Sequence, residues 1–587
     1  MKHSYKKRLI LGIAAARHDG SACIYEDYKL LAAVQLERIT RIKTDGDRIP
    51  YEAIDEVLRI ANLKKSDISH ICLSRNRFPY KWFDLSVCKL SYRIKRWFES
   101  SVRKVVGKDF ILTSTKECRR VGTTDVLSLF NTNRFLTDIG FEPETTLSFY
   151  DHHYAHVLPC LFHNPEWQDA LLYSADGGGD TGFYSFRYFN GKEIIHDFGG
   201  EEWLMKATPI SSMAFAYGTA TIALGYKMNR HEGKLTGLAA SGKPTLLKDL
   251  SKQFSVQEDG QIISSFQSQR EMQDYIFELC KGADPEDVAA SFQELLHVFV
   301  PKSINRLLDR FPTKNIGLSG GLFANVRLNQ VIAENCPIDR IFIYPAMSDA
   351  GLSTGGVLQY LIENDGIEDW LKHRKLCEHL YLGGNFNGRI DEQFQNDPLI
   401  IKEHGKPIEL TVEALRKGDA VAIYSEGMEF GPRALGARSV IASPHDKEIN
   451  ISLNERMERS EFMPFAPYVR EVDAEEVFHL PESFLYPSRF MTITCQVKEK
   501  WKDKIPAVVH IDNTARPQII SREQNVLYYD ILTEFKEKTG LPVLINTSFN
   551  VHEEPIINTP KECLKALLDN RVDAVVTEYG LYRMKKN

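Results

Sequence analysis

The chain has 587 residues, 43% hydrophobic and 26% charged, with a formal net charge of -6. That length makes two or more domains, each with its own core, and the balance is that of a soluble globular protein rather than a nucleic-acid binder. No stretch approaches the ~20 apolar residues needed to span a bilayer.

The N-terminal MKHSYKKRLILGIAAARHDG places basic residues before an apolar run, as a signal peptide does. The run is short and enters Arg17-His18-Asp19-Gly20 with no small-residue cleavage site, so it reads as a first strand, Leu9 to Ala15. Ala22 to Tyr25 and Leu30 to Gln35 read as the next two strands. An acidic, Gly-containing turn between strands presents carboxylate and backbone N–H groups to a metal-bound phosphate. Tyr51 to Asn62 has the periodicity of an amphipathic helix, and Ile68 to Ser74 that of a strand.

Between Lys81 and Lys108, Phe83, Val87, Leu90, Ile94 and Trp97 recur at helical spacing, with Lys89, Arg93, Lys95, Arg96, Arg103, Lys104 and Lys108 on the other faces. The expectation is that the stripe packs on the domain and the charges are solvated. Contact with an anionic membrane surface or an anionic acceptor is the other reading.

Asp151-His152-His153-Tyr154-Ala155-His156 opens a further helix. His152 and His156 lie four apart, so their imidazoles leave one face about one turn apart and suit a divalent metal. His153 points away from them, with substrate contact as one role. Capping or solvent roles are the ordinary alternative for the three histidines. Ala170 to Phe186 then repeats the strand–turn–strand pattern, with Asp176, Gly177, Gly178, Gly179, Asp180 and Thr181 filling the turn. Two such hairpins suggest a duplicated α/β fold closing on a nucleotide, whereas a pair of ordinary Gly-rich turns needs fewer glycines and aspartates.

Glu232 and Lys234, in HEGKLTGLA, suit ribose or phosphate contacts, though a surface loop accounts for them nearly as well. Asp287 to Leu307 reads as a long helix. In the strand–turn–helix sequence NIGLSGGLFAN, Gly320, Gly321 and Asn325 let backbone approach a flat ligand or its phosphates. Asp349 follows the strand Ile341 to Tyr344 on a turn into a helix, where its carboxylate can join His152 and His156. The polar stretch 362–375 reads as a boundary between a domain at 1–365 and a second at 366–587.

In the second domain, Arg433 and Arg438 stand five apart among glycines before Ser439, a phosphate cradle. Arg456, Arg459 and Phe462-Met463-Pro464 follow. Arg516 lies beside hydroxyl and amide groups, and Asn546, Ser548 and Asn550 end a strand with neutral hydrogen-bonding groups. Structural ion pairs are the competing account of these arginines. The ten cysteines show no C-x-x-C pair; Cys23, Cys72, Cys160 and Cys336 read as buried thiols in a reducing cytoplasm.

The motifs HDGSA, HHYAH, SADGGGDTG, HEGKLTGLA, SGGLFANVRLN, EFGPRALGARS, DNTARPQ and LPVLINTSFN cover nearly the whole chain. In that order they resemble the O-carbamoyltransferase family, which includes tobramycin, cephamycin and novobiocin carbamoyltransferases and nodulation protein NodU. The resemblance implies an N-terminal ASKHA domain, duplicated and like the Kae1/TsaD enzymes, and a C-terminal YrdC-like α/β domain. It implies ATP and carbamoyl phosphate as co-substrates, Mg(II) with the ATP, and carbamoyl-adenylate made in the second domain by Arg433, Arg438, Ser439, Arg516, Asn546, Ser548 and Asn550.

It further implies a metal, Fe(II) being the expected one, on His152, His156 and Asp349. Asp176, Gly177, Gly178, Asp180, Thr181, Glu232, Lys234, Gly320, Gly321 and Asn325 would hold the nucleotide, and His18 beside Asp19 would serve as general base. The acceptor would be a hydroxyl of a sugar or natural product. Two positions depart from the family pattern: Met463 where an Arg is expected, and Asn513 where a Gly is expected. A tRNA threonylcarbamoyl transferase would call for a basic groove, against which the net charge argues. A non-enzymatic nucleotide-binding regulator would have little use for the His and Arg sets. No nucleic acid and no membrane insertion are expected, and a homodimer stays open.

Overall fold

Leu9–Ala14 is wholly apolar apart from a glycine, as befits a strand covered on both faces. In the computed structural model, which describes residues 7–105, 109–205, 210–386, 388–459 and 465–585, it is β1. Met463 and Lys108 lie outside the described residues. β2 (Ser21–Glu26), β3 (Lys29–Gln35), β4 (His70–Ser74) and β5 (Thr146–Tyr150) complete a sheet ordered β3-β2-β1-β4-β5. The first three strands are antiparallel and the last two join in parallel.

A second sheet repeats the plan. β6 (Ala170–Gly179), β7 (Gly182–Phe189), β8 (Ile194–Phe198), β9 (Asn315–Ser319) and β10 (Arg340–Ile343) are ordered β8-β7-β6-β9-β10, with the same directions. One strand order used twice is the duplicated ASKHA fold. The helices that matter to the site are α1 (Leu90–Val105), α2 (His152–Phe162), α3 (Glu232–Ala239), α4 (Val326–Asn335) and α5 (Leu352–Asp365). α2 and α5 cross backbone to backbone, since a Cβ on Gly355 would lie 1.8 Å from Ala155 O.

The C-terminal half holds an eight-stranded mixed sheet. Its strands are β11 (Ile400–Lys402), β12 (Val421–Tyr424), β13 (Arg438–Ala442), β14 (Ala466–Arg470), β15 (Gln518–Ile520), β16 (Val543–Ser548), β17 (Ala574–Thr577) and β18 (Gly580–Met584). Their order is β11-β18-β17-β12-β13-β16-β14-β15. The halves interlock through polar contacts as well as packing. Arg41 donates to Pro555 O and Ile556 O at 2.7 Å each, and Lys227, Arg230 and His231 surround the Glu553 carboxylate.

Three expectations change. The Gly/Asp run at 176–181 is not a turn throughout: β6 runs on to Gly179, and Asp180 and Thr181 alone turn the chain, with φ of 48° and 71°. The polar stretch 362–375 is not a free linker, because its helix Ile367–Lys372 buries Trp370 against Phe162. The stripe in 81–108 does not pack on the domain. Phe83 is buried beside Phe130, but the helix starts only at Leu90 and its apolar side chains face solvent. All four cysteines read as buried thiols are buried, and all ten in the chain are free.

Candidate two-part active site

α2 begins where Asp151 caps it, its carboxylate accepting from Tyr154 N at 2.6 Å. The next turn presents His152 and His156 with ring centroids 4.7 Å apart. Asp176 and Asp349, at the C-terminal ends of β6 and β10, meet them there, as ligand-binding residues of α/β sheets do. His156 Nε2 lies 3.2 Å from Asp176 Oδ2 and 3.7 Å from Asp349 Oδ1, and His152 Nε2 lies 3.9 Å from each.

The four ligand atoms fall within 4.8 Å of one another. Both Nε2 atoms and Asp349 Oδ1 are buried with no hydrogen-bond partner. Orphaned buried groups are costly, and two imidazoles with two carboxylates fit a divalent ion. Asp176, read from sequence as a nucleotide ligand, therefore stands among the candidate metal ligands; nothing in SADGGGDTG announces this, because only the folded sheet brings Asp349, far along the chain, against Asp176 and the α2 histidines.

Burial works against charge on His152, but Asp176, Asp349 and Asp180 outweigh it and hold the imidazole up at about 9. His18 sits beside the cluster, its Nδ1 3.3 Å from Asp19 Oδ2. Burial lowers its pKa, yet Asp349, Asp19 and Asp176 bring it up to about 10. With those carboxylates unneutralised His18 is a proton donor at neutral pH. It becomes a base only when a cation cancels their field. His153 is buried, its Nδ1 shares a 2.8 Å hydrogen bond with Ser174 Oγ, and burial pushes it down to about 3.

Several of the nucleotide residues expected from sequence are otherwise engaged. Asp180 accepts from His152 N at 3.1 Å and pairs with Arg75 at 3.2 Å, fixing the start of α2. Thr181 Oγ1 donates to Trp203 O. Asn325 caps α4 and is bonded to Gln293. Gly177 and Gly178 lie at the rim, Gly320 and Gly321 follow β9, and Gly321 N points to Asp176 Oδ2 at 3.4 Å. Glu232 and Lys234 stand on α3, which keeps a half-buried face of small residues.

Gly179 has a different duty. A Cβ there would lie 2.2 Å from His152 Nε2. Gly179→Ala is expected to displace His152, lowering bound-metal stoichiometry by elemental analysis and destabilising the fold by about 1–3 kcal/mol in denaturant titration.

The second centre lies on the loop after β12. The buried Glu429 carboxylate accepts from the N–H groups of Leu435, Ala437 and Arg438 at 2.8 to 3.1 Å, bending the PRALGAR loop that carries Arg433. Among the described residues no carboxylate lies within ion-pair distance of Arg433 or Arg516. Burial lowers Arg433 to about 10; burial and then the charge of Arg433 hold Arg516 well below its usual range. Arg516 Nε has no hydrogen-bond partner. Arg459, likewise lowered to about 10 by burial, donates to Thr547 Oγ1 at 3.0 Å. Desolvated cations without counter-charges are costly, and an anion relieves that cost.

Arg438 is not among them. It is fully buried, donates to Ser425 O, Glu426 O, Ala437 O and Gly384 O, and stacks over Tyr424 at 3.7 Å. It is scaffold, as are Ser439, which accepts from Gly436 N, and Arg456, paired with Asp573. Asn546 is bonded to Gln518 Oε1 and Ala434 O, and Ser548 to Asn550. Sequence alone could not separate these roles, because an Arg beside glycines reads alike whether its guanidinium meets carbonyls or empty space. Asn513 adopts φ 62°, a conformation open to Asn as well as Gly, so that departure preserves the turn.

Residues 9–358 match the family described as Carbamoyltransferase N-terminus, and residues 412–584 the one described as Carbamoyltransferase C-terminus. The chain belongs to the carbamoyltransferase family. An uncharacterized protein of Methanocaldococcus jannaschii is 28% identical, covering 98% of this chain and 99% of its own. Nodulation protein NolNO of Sinorhizobium fredii is 27% identical over 97% of this chain and 79% of its own. Nodulation protein U of the same species is 31% identical over 46% of each. In this carbamoyltransferase the N-terminal match spans both five-stranded sheets, and the C-terminal match spans all of the eight-stranded sheet but β11. Its Arg433 loop rests on the Asp349 loop: a Cβ on Gly431 would lie 3.2 Å from Pro345 O, four residues before Asp349.

Proposed function

We propose that the protein is an ATP-dependent O-carbamoyltransferase that makes carbamoyl-adenylate at the arginine site and delivers its carbamoyl group to an acceptor hydroxyl at the His/Asp site. The observation that carries this reading is the pair Arg433 and Arg516, desolvated and, among the described residues, without a counter-charge, with the loop of Arg433 abutting the one that leads to Asp349. The domains 1–365 and 366–587 then divide the work.

Carbamoyl phosphate and ATP, with Mg(II), bind as polyanions against Arg433, Arg516 and Arg459. Water releases phosphate from carbamoyl phosphate; the carbamate oxygen attacks the α-phosphorus of ATP and pyrophosphate leaves. The guanidinium groups offset charge on the reacting phosphates in a site with little water. Transit to the adjoining cleft keeps the mixed anhydride from hydrolysis. There the acceptor hydroxyl attacks the carbamoyl carbon, its proton passes to His18, and AMP leaves. Asp19 orients that imidazole, and Gly177, Gly178, Gly320, Gly321 and the α3 face with Glu232 and Lys234 border the nucleotide. A divalent ion, expected to be Fe(II), held by His152, His156, Asp176 and Asp349, would supply Lewis-acid polarisation. The acceptor is a hydroxyl of a sugar or natural product, and the free cysteines suit the reducing cytoplasm where ATP is found.

The test is incubation of purified protein with ATP and carbamoyl phosphate, without acceptor, followed by mass spectrometry. Carbamoyl-adenylate or AMP, formed only when carbamoyl phosphate is present, is expected. A folded, metal-loaded protein that forms neither, alone or with a panel of hydroxylated acceptors, would overturn the reading.

A further inference from the structure

α1 is mounted the reverse of an ordinary surface helix. Its protein-facing side is polar and aromatic: Tyr92 OH donates to Glu117 Oε2 at 2.6 Å, Arg96 bonds Tyr92 and Glu99, and Arg96 and Arg103 lie over the Phe110 ring. The opposite arc, repeating at three and four residues, is Leu90, Ile94, Trp97, Phe98 and Val102, and these side chains are 50% to 66% exposed. Val87, just before the helix, is exposed as well. Such a contiguous apolar strip is rarely left to water.

Charge tells what covers it. The helix carries five basic residues and one acidic residue, Glu99, which is spent on Arg96. Exposed Arg93 and Lys104 share one flank of the strip and Lys95 stands on the other. A second copy of the chain would bring like charges against these flanks, whereas an anionic lipid surface accepts the cations at its headgroups while the strip enters the acyl boundary. No helix among the described residues is long and apolar enough to cross a membrane, so contact is in the plane of the surface.

We propose that α1 docks the protein on an anionic lipid bilayer, with Leu90, Ile94, Trp97, Phe98 and Val102 inserted at the headgroup boundary and Arg93, Lys95 and Lys104 on phosphates. The polar side of α1 is tied through Glu117 to the helix Ser114–Val121, whose Arg119 donates to Leu204 O at 2.8 Å, and Thr181, which follows Asp180, donates to the neighbouring Trp203 O.

The test is co-sedimentation of the full chain with phosphatidylglycerol/phosphatidylcholine vesicles and with phosphatidylcholine alone, followed by Trp97 quenching with brominated lipid. Binding to the anionic vesicles only, weakened by salt, is expected. Arg93→Glu/Lys95→Glu should weaken it by about fivefold or more for each cation removed. Trp97→Ser/Phe98→Ser should abolish it at an unchanged melting temperature, since both side chains are exposed, and Trp97→Phe should keep binding but lose the quenching. Equal binding of wild type and both double variants, or no wild-type binding, overturns the proposal. Lipid-independent dimerisation in sedimentation velocity, lost in Trp97→Ser/Phe98→Ser, without vesicle binding, would give the strip to a second copy instead.

Discussion

In a His152→Ala/His156→Ala variant, carbamoyl transfer to acceptor is expected to fall by about 10³-fold or more, while AMP formation from ATP and carbamoyl phosphate persists. Lewis-acid stabilisation is worth several kcal/mol, and each loss of about 1.4 kcal/mol is tenfold in rate. The two Nε2 atoms supply half of the donor set, and Asp176 and Asp349 alone leave two adjacent carboxylates that repel. Bound metal, measured by elemental analysis after gel filtration, should drop to background in step with transfer. The arginine site touches neither histidine, so its half-reaction is the internal control for folding. Loss of both activities in a variant with wild-type far-UV circular dichroism would mean that the two centres are one, and the division of labour would have to be abandoned.

Arg433→Ala should do the reverse. Formation of carbamoyl-adenylate is expected to fall by about 10²-fold or more, as when a strong charge-assisted contact to a reacting oxyanion is removed, while transfer from supplied carbamoyl-adenylate continues. The same substitution carries a stability signature that a merely structural arginine would not show. Arg433 and Arg516 are desolvated with no counter-charge among the described residues, and the charge of Arg433 adds to the burial that lowers Arg516. Arg433→Met, which keeps the bulk and removes the charge, should therefore raise the melting temperature of the ligand-free protein, as replacement of uncompensated buried charge does. Pyrophosphate should raise the melting temperature of wild type and have little effect on the variant. Arg438→Ala makes the contrast: its guanidinium binds four carbonyls, and its loss should destabilise the fold rather than select one half-reaction. A melting temperature lowered by Arg433→Met, or unchanged by pyrophosphate in wild type, would count against an anion site there.

Much of this was legible in the sequence, and its limits have physical causes. Apolar runs bounded by Gly and Asp located the central strands of both N-terminal sheets, because a strand buried on both faces needs uninterrupted apolar residues, whereas β5 and the half-exposed edge strand β8 went unread. The i, i+4 spacing put His152 and His156 on one face of a helix, and the position of Asp349 on a strand-to-helix turn put its carboxylate within their reach. Arg433 and Arg516 could be named because two arginines amid small and polar residues have few local partners. Three things were decided only by the tertiary structure. Asp176 joins the metal set because parallel pairing of β6 with β9, and of β9 with β10, aligns strand ends from distant parts of the chain. Arg438 is scaffold because the loop shaped by Glu429 turns its backbone carbonyls onto it, and a guanidinium reads the same in sequence whether it faces carbonyls or an anion. The direction of α1 was hidden for the same reason: periodicity fixes that a helix has an apolar face, but only packing decides whether that face looks at the core or away from it.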